Sequence, residues 1–212
     1  MADTATLEAP DETGHEAQVH AEHQLAPTNT GISNSKLAMW VFLGSDCLLF
    51  GALISTYLLY KNINEPLPGP RQVYDIPFTS VSSFVLLMSS LTMVLAVSAI
   101  ERGDHRATRA WLTSTALLGS VFIGGQIYEF TSFYREGMGY THNVASSAFY
   151  TLTGFHGVHV TLGIIMLLSL FVLSLREQLP QHKHEVVETV GLYWHFVDIV
   201  WIVIFAVVYL IH

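Results

Sequence analysis

Five stretches of this chain run apolar for far longer than a soluble helix needs, and polar or turn-forming residues collect between them. They cover residues 37–60, 78–100, 110–133, 144–175 and 190–211. Crossing the hydrocarbon core takes about 20 helical residues at about 1.5 Å each, so every run is long enough. None alternates apolar and polar positions over a sustained stretch, which argues against membrane strands. The pattern predicts an all-α polytopic membrane protein, a bundle of five transmembrane helices.

The interruptions refine that expectation. The connection KNINEPLPGPRQVYDIP, residues 61–77, carries four prolines and one glycine and reads as an irregular extended cover, not a linker between domains. Within the second run Ser82, Ser89 and Ala96 recur every seven residues, and Gly119 and Gly124 lie in the third. Small residues at such positions let membrane helices approach closely. No internal repeat of the kind found in inverted-topology transporters is visible, and none of the five runs contains a proline. Residues 1–36 are different: rich in Ala, Glu, Thr and His, they read as a mobile acidic tail ahead of a transmembrane domain at 37–212. The tail lacks a basic start followed by an apolar core, so it does not look like a cleaved signal peptide.

Composition agrees with a membrane protein: 12% of residues are charged and mean hydropathy is +0.43. The formal net charge of −8 owes much to the tail, so no basic footprint points to nucleic acid. Cys47 is the single cysteine and cannot form an intrachain disulfide. Lys36, Arg102, Arg106, Arg109, Arg176 and Lys183 flank one side of the expected bundle, against Lys61, Arg71 and Arg135 on the other. The positive-inside rule then places the N-terminus in the cytoplasm and His212 on the outer side.

Six ionisable residues fall within the apolar runs: Asp46, Glu129, His156, His159, His195 and Asp198. Such groups are costly in lipid and mark places where protein or water receives them. With about 1.5 Å of rise per residue, Asp46 lies about 13 Å from the inner boundary, His195 and Asp198 about 8 and 12 Å, and His156 and His159 about 12 and 8 Å. Five of the six therefore share one layer, and Glu129 emerges near the outer interface.

Histidines in a membrane invite a cofactor reading. A bis-histidine haem needs imidazoles on opposite faces of the ring, which His156 and His159, on nearly one face of one helix, cannot supply together. One of them would have to pair with His195, and no Cys-x-x-Cys-His motif offers covalent attachment. A metal site from His156, His159, His195 and Asp198 has acceptable ligand types, but nothing in the pattern demands it. The alternative is electrostatic: a carboxylate at this depth is tolerated when an imidazole or indole donates to it. Asp46 is accordingly expected to pair with His156 or His159, the two histidines acting as a polar clasp. His182 and His184, spaced by one in a polar loop, read as surface. Trp40, Trp194 and Trp201 read as interface anchors or packing groups.

Four segments carry a resemblance. SAFYTLTGFHGVHVTLG at 147–163 and YWHFVDIVWIVIFAVVYL at 193–210 resemble the last two helices of haem-copper oxidase subunit III. WVFLGSDCLLF at 40–50 resembles that family's carboxylate-bearing helix, and GGQIYEF at 124–130 its Gln-x-x-Glu segment. The likeness runs in order from Lys36 to His212 and implies the five-helix bacterial form. It further implies a non-catalytic subunit without cofactors of its own, the haems and copper residing in subunits I and II. Its expected partners are subunit I above all, subunit II, small subunits and bound phospholipid, and its expected roles are support of proton uptake and protection of the catalytic subunit. By resemblance Asp46, Glu129, His156, His159, His195 and Asp198 serve structure, lipid or proton uptake. Asp46 stands where many cytochrome c oxidase members have Glu, and the SDC and DIPF segments look more like the quinol oxidase branch. The expected type is cytochrome c oxidase, with quinol oxidase as the alternative.

Overall fold

A computed structural model describes residues 33–61, 76–135, 139–141, 144–179 and 184–210. Residues 1–32 of the expected tail and 62–75 of the proline-bearing connection lie outside them. The compact unit is Ser35–His212. Five helices follow one another: α1 (Asn34–Tyr60), α2 (Ile76–Glu101), α3 (His105–Arg135), α4 (Val144–Leu175) and α5 (His184–Phe205), the last continued by a π-helical turn at Ala206–Leu210. All five are long and apolar enough to cross a membrane, and no strand occurs among the described residues. The all-helical, five-span reading of the sequence is what the fold contains.

Several helices outrun their apolar cores because local chemistry carries them further. Pro77 sits in the first turn of α2, where its missing N–H is not needed, so the last proline of the 61–77 segment opens a helix. Between α2 and α3 the chain turns within three residues. Gly103 takes φ 74°, its N–H bonds Ile100 O at 2.9 Å, and Asp104 N–H reaches back to Ala99 O at 3.0 Å, which closes a Schellman cap. Asp104 then starts α3, its Oδ1 accepting from the N–H groups of Arg106 (3.1 Å) and Ala107 (3.0 Å). The C-terminal end of α4 repeats the cap with Glu177 at φ 56°, a left-handed residue that is not glycine. Gln178 N–H bonds Leu173 O there at 3.0 Å.

Helices α2, α3, α4 and α5 pack as a closed ring, each against its two neighbours. Helix α1 touches this ring more sparsely, through a seam in which Leu43, Asp46, Phe50 and Tyr57 are buried. Those four are spaced by three, four and seven residues, which is one face of a helix. The remaining faces of α1, with Trp40, Val41, Leu48 and Leu59, are exposed.

Trp194 of α5 is the hub of the ring. A Cβ on Gly119 of α3 would come within 2.5 Å of its indole, and one on Gly163 of α4 within 2.8 Å. Its Nε1–H donates to Ser89 Oγ of α2 at 3.0 Å, so one side chain joins all four helices. Gly119 thus has the packing role its position in the run suggests. Gly124 does not: a Cβ there would meet open space, and it is the adjacent Gly125 that approaches α2, beside Ser82 Oγ.

Candidate functional site

The polar layer is assembled from three helices that mostly bury hydrocarbon. Helix α1 contributes Asp46, α4 contributes His156 and His159, and α5 contributes His195 and Asp198. The structure divides these five into two pairs and a singleton.

Asp46 faces His159 across the α1–α4 seam. Oδ2 of the carboxylate lies 3.4 Å from Nε2, and both side chains are largely buried. The other ring nitrogen, Nδ1, lies 2.7 Å from the Phe155 carbonyl one turn back on α4. Phe50 of α1 covers the imidazole edge-on at 5.1 Å between centroids. Tyr193 of α5 donates its hydroxyl to His159 O at 2.9 Å, which pins the backbone of the same residue. Of the two partners the sequence left open for Asp46, His159 is the one that meets it.

His156 departs from the expected clasp. It is fully buried, neither ring nitrogen has a hydrogen-bond partner, and its ring stacks on Trp201 at 4.8 Å and 26°. Phe122 of α3 meets it edge-on at 5.9 Å. The three-residue spacing places the two histidines about 60° apart around α4, which is enough to send one to the α1 seam and the other into the ring. Inside the ring the neighbours are aromatic, so His156 packs as a flat ring.

The second pair, His195 and Asp198, lies one turn apart on α5. Ser90 Oγ of α2 lies 2.6 Å from His195 Nδ1. Asp198 Oδ1 has no partner and is enclosed. Glu129 sits apart, towards the Lys61 end of the bundle. It is buried, and the Thr79 hydroxyl of α2 donates to its Oε1, so the position expected at the interface lies inside the helix packing.

Sequence reading missed the role of α2. Thr79 serves Glu129, Ser83 accepts the Trp201 indole N–H at 2.8 Å, Ser89 accepts that of Trp194, and Ser90 meets His195. Ser83 and Ser89 pass their own protons to the carbonyls of Thr79 (2.7 Å) and Leu86 (2.5 Å), so each hydroxyl both accepts and donates. A signal was present: the hydroxyl residues of FTSVSSFVLLMSSLT cluster on the faces that α5 and α3 cover. Only Ser82, Ser89 and Ala96 were expected there, and as packing groups alone. Gln126 of α3 was also missed. Its Nε2 donates to Thr153 O of α4 at 3.0 Å, and Gly157 leaves room for its Oε1.

Chemically, these groups are engaged with neighbouring helices more than with any open site. Among the described residues no three His, Cys, Asp or Glu side chains converge as metal ligands do. His184 opens α5 and lies 3.7 Å from Glu188, which also pairs with Lys36 of α1; His182 is outside the described residues.

Comparison with known proteins identifies the arrangement. The family described as cytochrome c oxidase subunit III matches residues 11–212. This chain belongs to that family. A cytochrome c oxidase subunit 3 from Bacillus sp. (strain PS3) is 36% identical over 202 residues, which cover 91% of this chain and 98% of the relative. A cytochrome bo(3) ubiquinol oxidase subunit 3 from Pseudomonas aeruginosa is 35% identical over 193 residues, 91% of each chain. A quinol oxidase subunit 3 from Bacillus subtilis is 36% identical over 198 residues, 90% of this chain and 96% of the relative. Subunit III of a haem-copper oxidase is a multi-pass membrane component of a multi-subunit respiratory complex, and the five-helix bundle fits that place.

Proposed function

We propose that this subunit III is an accessory, non-catalytic component of a proton-pumping terminal oxidase. In this reading it docks on subunit I, contacts subunit II and bound phospholipid, and supports proton uptake and the working life of the catalytic subunit while the haems and copper reside in its partners. The observation that carries it is where the polar groups go: His159, His195, Glu129, Trp194 and Trp201 all spend hydrogen bonds or ion pairs on other helices of the bundle. The surplus of Lys and Arg at the Lys36 end supports an N-terminus in the cytoplasm and a C-terminus outside, and the bacterial source of the relatives supports residence in a bacterial plasma membrane.

The test is to purify the oxidase from its native membrane with and without this chain. The accessory reading expects unchanged haem spectra and a near-normal initial rate of oxygen reduction, followed by faster loss of activity during turnover. A Soret band in the isolated chain, or loss of haem on its removal, would overturn it.

Cytochrome c is the proposed electron donor. A second reading, quinol, draws on the SDC and DIPF segments and on the quinol oxidase relatives, whose identities match those of the cytochrome c oxidase relative. Assaying the purified complex with each reduced donor separates the two, and a copper-binding cysteine pair in the co-purifying subunit II would favour cytochrome c.

A further inference from the structure

The pair that fastens α1 to the bundle carries more information than its distance. His159 Nδ1 faces a backbone carbonyl at 2.7 Å. A carbonyl oxygen only accepts, so Nδ1 carries a hydrogen. In a neutral imidazole the other nitrogen, Nε2, then bears a lone pair, and that lone pair points at Asp46 Oδ2 3.4 Å away. Oδ2 is enclosed and has no hydrogen-bond partner, and the ion pairs of the described residues bring no Lys or Arg to Asp46.

An ionised carboxylate facing a neutral imidazole would be a buried, uncompensated charge set against a lone pair, an arrangement that costs several kcal/mol. One added proton removes both faults. It resides either on the carboxyl, as O–H···N, or on the imidazole, as N–H⁺···O⁻, and both forms are net neutral.

We propose that Asp46 and His159 hold a single proton between them, and that this neutral unit is a proton-dependent latch for α1. Their titratable surroundings are few. On α4, His156 lies one turn away with both nitrogens enclosed. On α5, Tyr193 is within electrostatic reach of Asp46, but its hydroxyl is committed to His159 O. On α1 itself, Cys47 is exposed and points away from the seam, and α2 and α3 place no ion-pair partner at either group. The buried residues beside the pair on α1 are Leu43, Phe50 and Tyr57, and the other charged contact of α1, Lys36 with Glu188, lies at its N-terminal end, so withdrawal of the proton leaves a largely buried anion that is fully hydrated only when α1 moves off the ring. Raising the pH therefore weakens the attachment of α1, while α2–α5 are unaffected.

The test uses the full oxidase complex and compares wild type with Asp46→Asn, whose amide donates to the Nε2 lone pair and cannot lose a proton. Hydrogen exchange of α1, normalised to intrinsic rates, is expected to accelerate about tenfold or more on going from neutral into alkaline solution in the wild type, the effect of exposing a buried unpaired charge. It is expected to stay flat in Asp46→Asn. A neutral-pH infrared difference spectrum between the two should show either a protonated carboxyl C=O band or an imidazolium band with its carboxylate. His159→Gln provides the second variant if Asp46→Asn fails to assemble: an imidazolium band must disappear in it, and a protonated carboxyl band must shift as its acceptor changes from a ring nitrogen to an amide oxygen. A carboxylate band with no imidazolium, or equal α1 exchange across pH in wild type and variant, would overturn the proposal.

Discussion

The α1 seam and the α2–α5 ring solve the same problem, burial of polar groups in a membrane protein, in opposite ways. In the ring the indole N–H groups of Trp194 and Trp201 each find a serine oxygen within 3.0 Å, and that serine passes its own proton to a carbonyl one turn away. Four helices share the arrangement, so no single element can leave without stranding several partners. The seam has one buried polar contact, at 3.4 Å, set among three apolar side chains of α1, and a partly exposed ion pair, Lys36 with Glu188, at its end. Lipid tails are as apolar as leucine, so the seam gains little from excluding solvent and depends on packing and on those two pairs. Rigidity belongs to the ring and conditional attachment to the seam.

The largest expected effect breaks the ring. Trp194→Ala removes a side chain that touches two glycines and a serine on three other helices, and should cost about 3–5 kcal/mol. Thermal unfolding of the detergent-solubilised subunit should show it as a loss of the whole fold; a loss confined to one helix would contradict the hub. Gly163→Ala should follow, at about 1–3 kcal/mol, because its Cβ would sit 2.8 Å from a rigid indole that Gly119 holds on the other side. A neutral result there would mean that Trp194 can shift, and the contrast between ring and seam would soften.

Asp46→Ala sharpens the contrast instead of abolishing it. Left without a partner, His159 Nε2 should cost about 1–3 kcal/mol, registered as faster amide exchange in α1 with α2–α5 unchanged. Spread of the effect into α2 would show that the seam is part of the ring after all. Ser83→Ala strands the Trp201 indole N–H and should cost about 0.6–1.7 kcal/mol, the range for hydrogen bonds between membrane helices. Lys36→Ala, which breaks the partly exposed ion pair with Glu188, should change stability by less than about 1 kcal/mol and by less still in high salt.

Hydropathy made the five spans legible because an apolar run of sufficient length has few alternatives in a membrane. The depth of each ionisable residue followed from helical rise alone, and it placed Asp46 in one layer with both histidines, closer in level to His156 than to the His159 it meets. Rotation about the helix axis was not legible. Nothing in FHGVH shows that His159 turns to α1 while His156 turns to Trp201, since that depends on which neighbour each face of α4 meets. Glu129 illustrates the same gap: its height is compatible with an interface, and only the approach of α2 supplies Thr79 to bury it.

The hydroxyls of α2 were overlooked for a related reason. Serine at seven-residue spacing serves close packing and hydrogen bonding equally well, and the partner that decides between them lies about a hundred residues further along the chain. By itself, then, the sequence determined the number, length and order of the helices and the level of each charge, because these depend on distance along a helix in a medium of fixed thickness. Tertiary structure decided which polar groups meet, which stay unpartnered and which helix is held lightly, because these depend on lateral packing that no local pattern encodes.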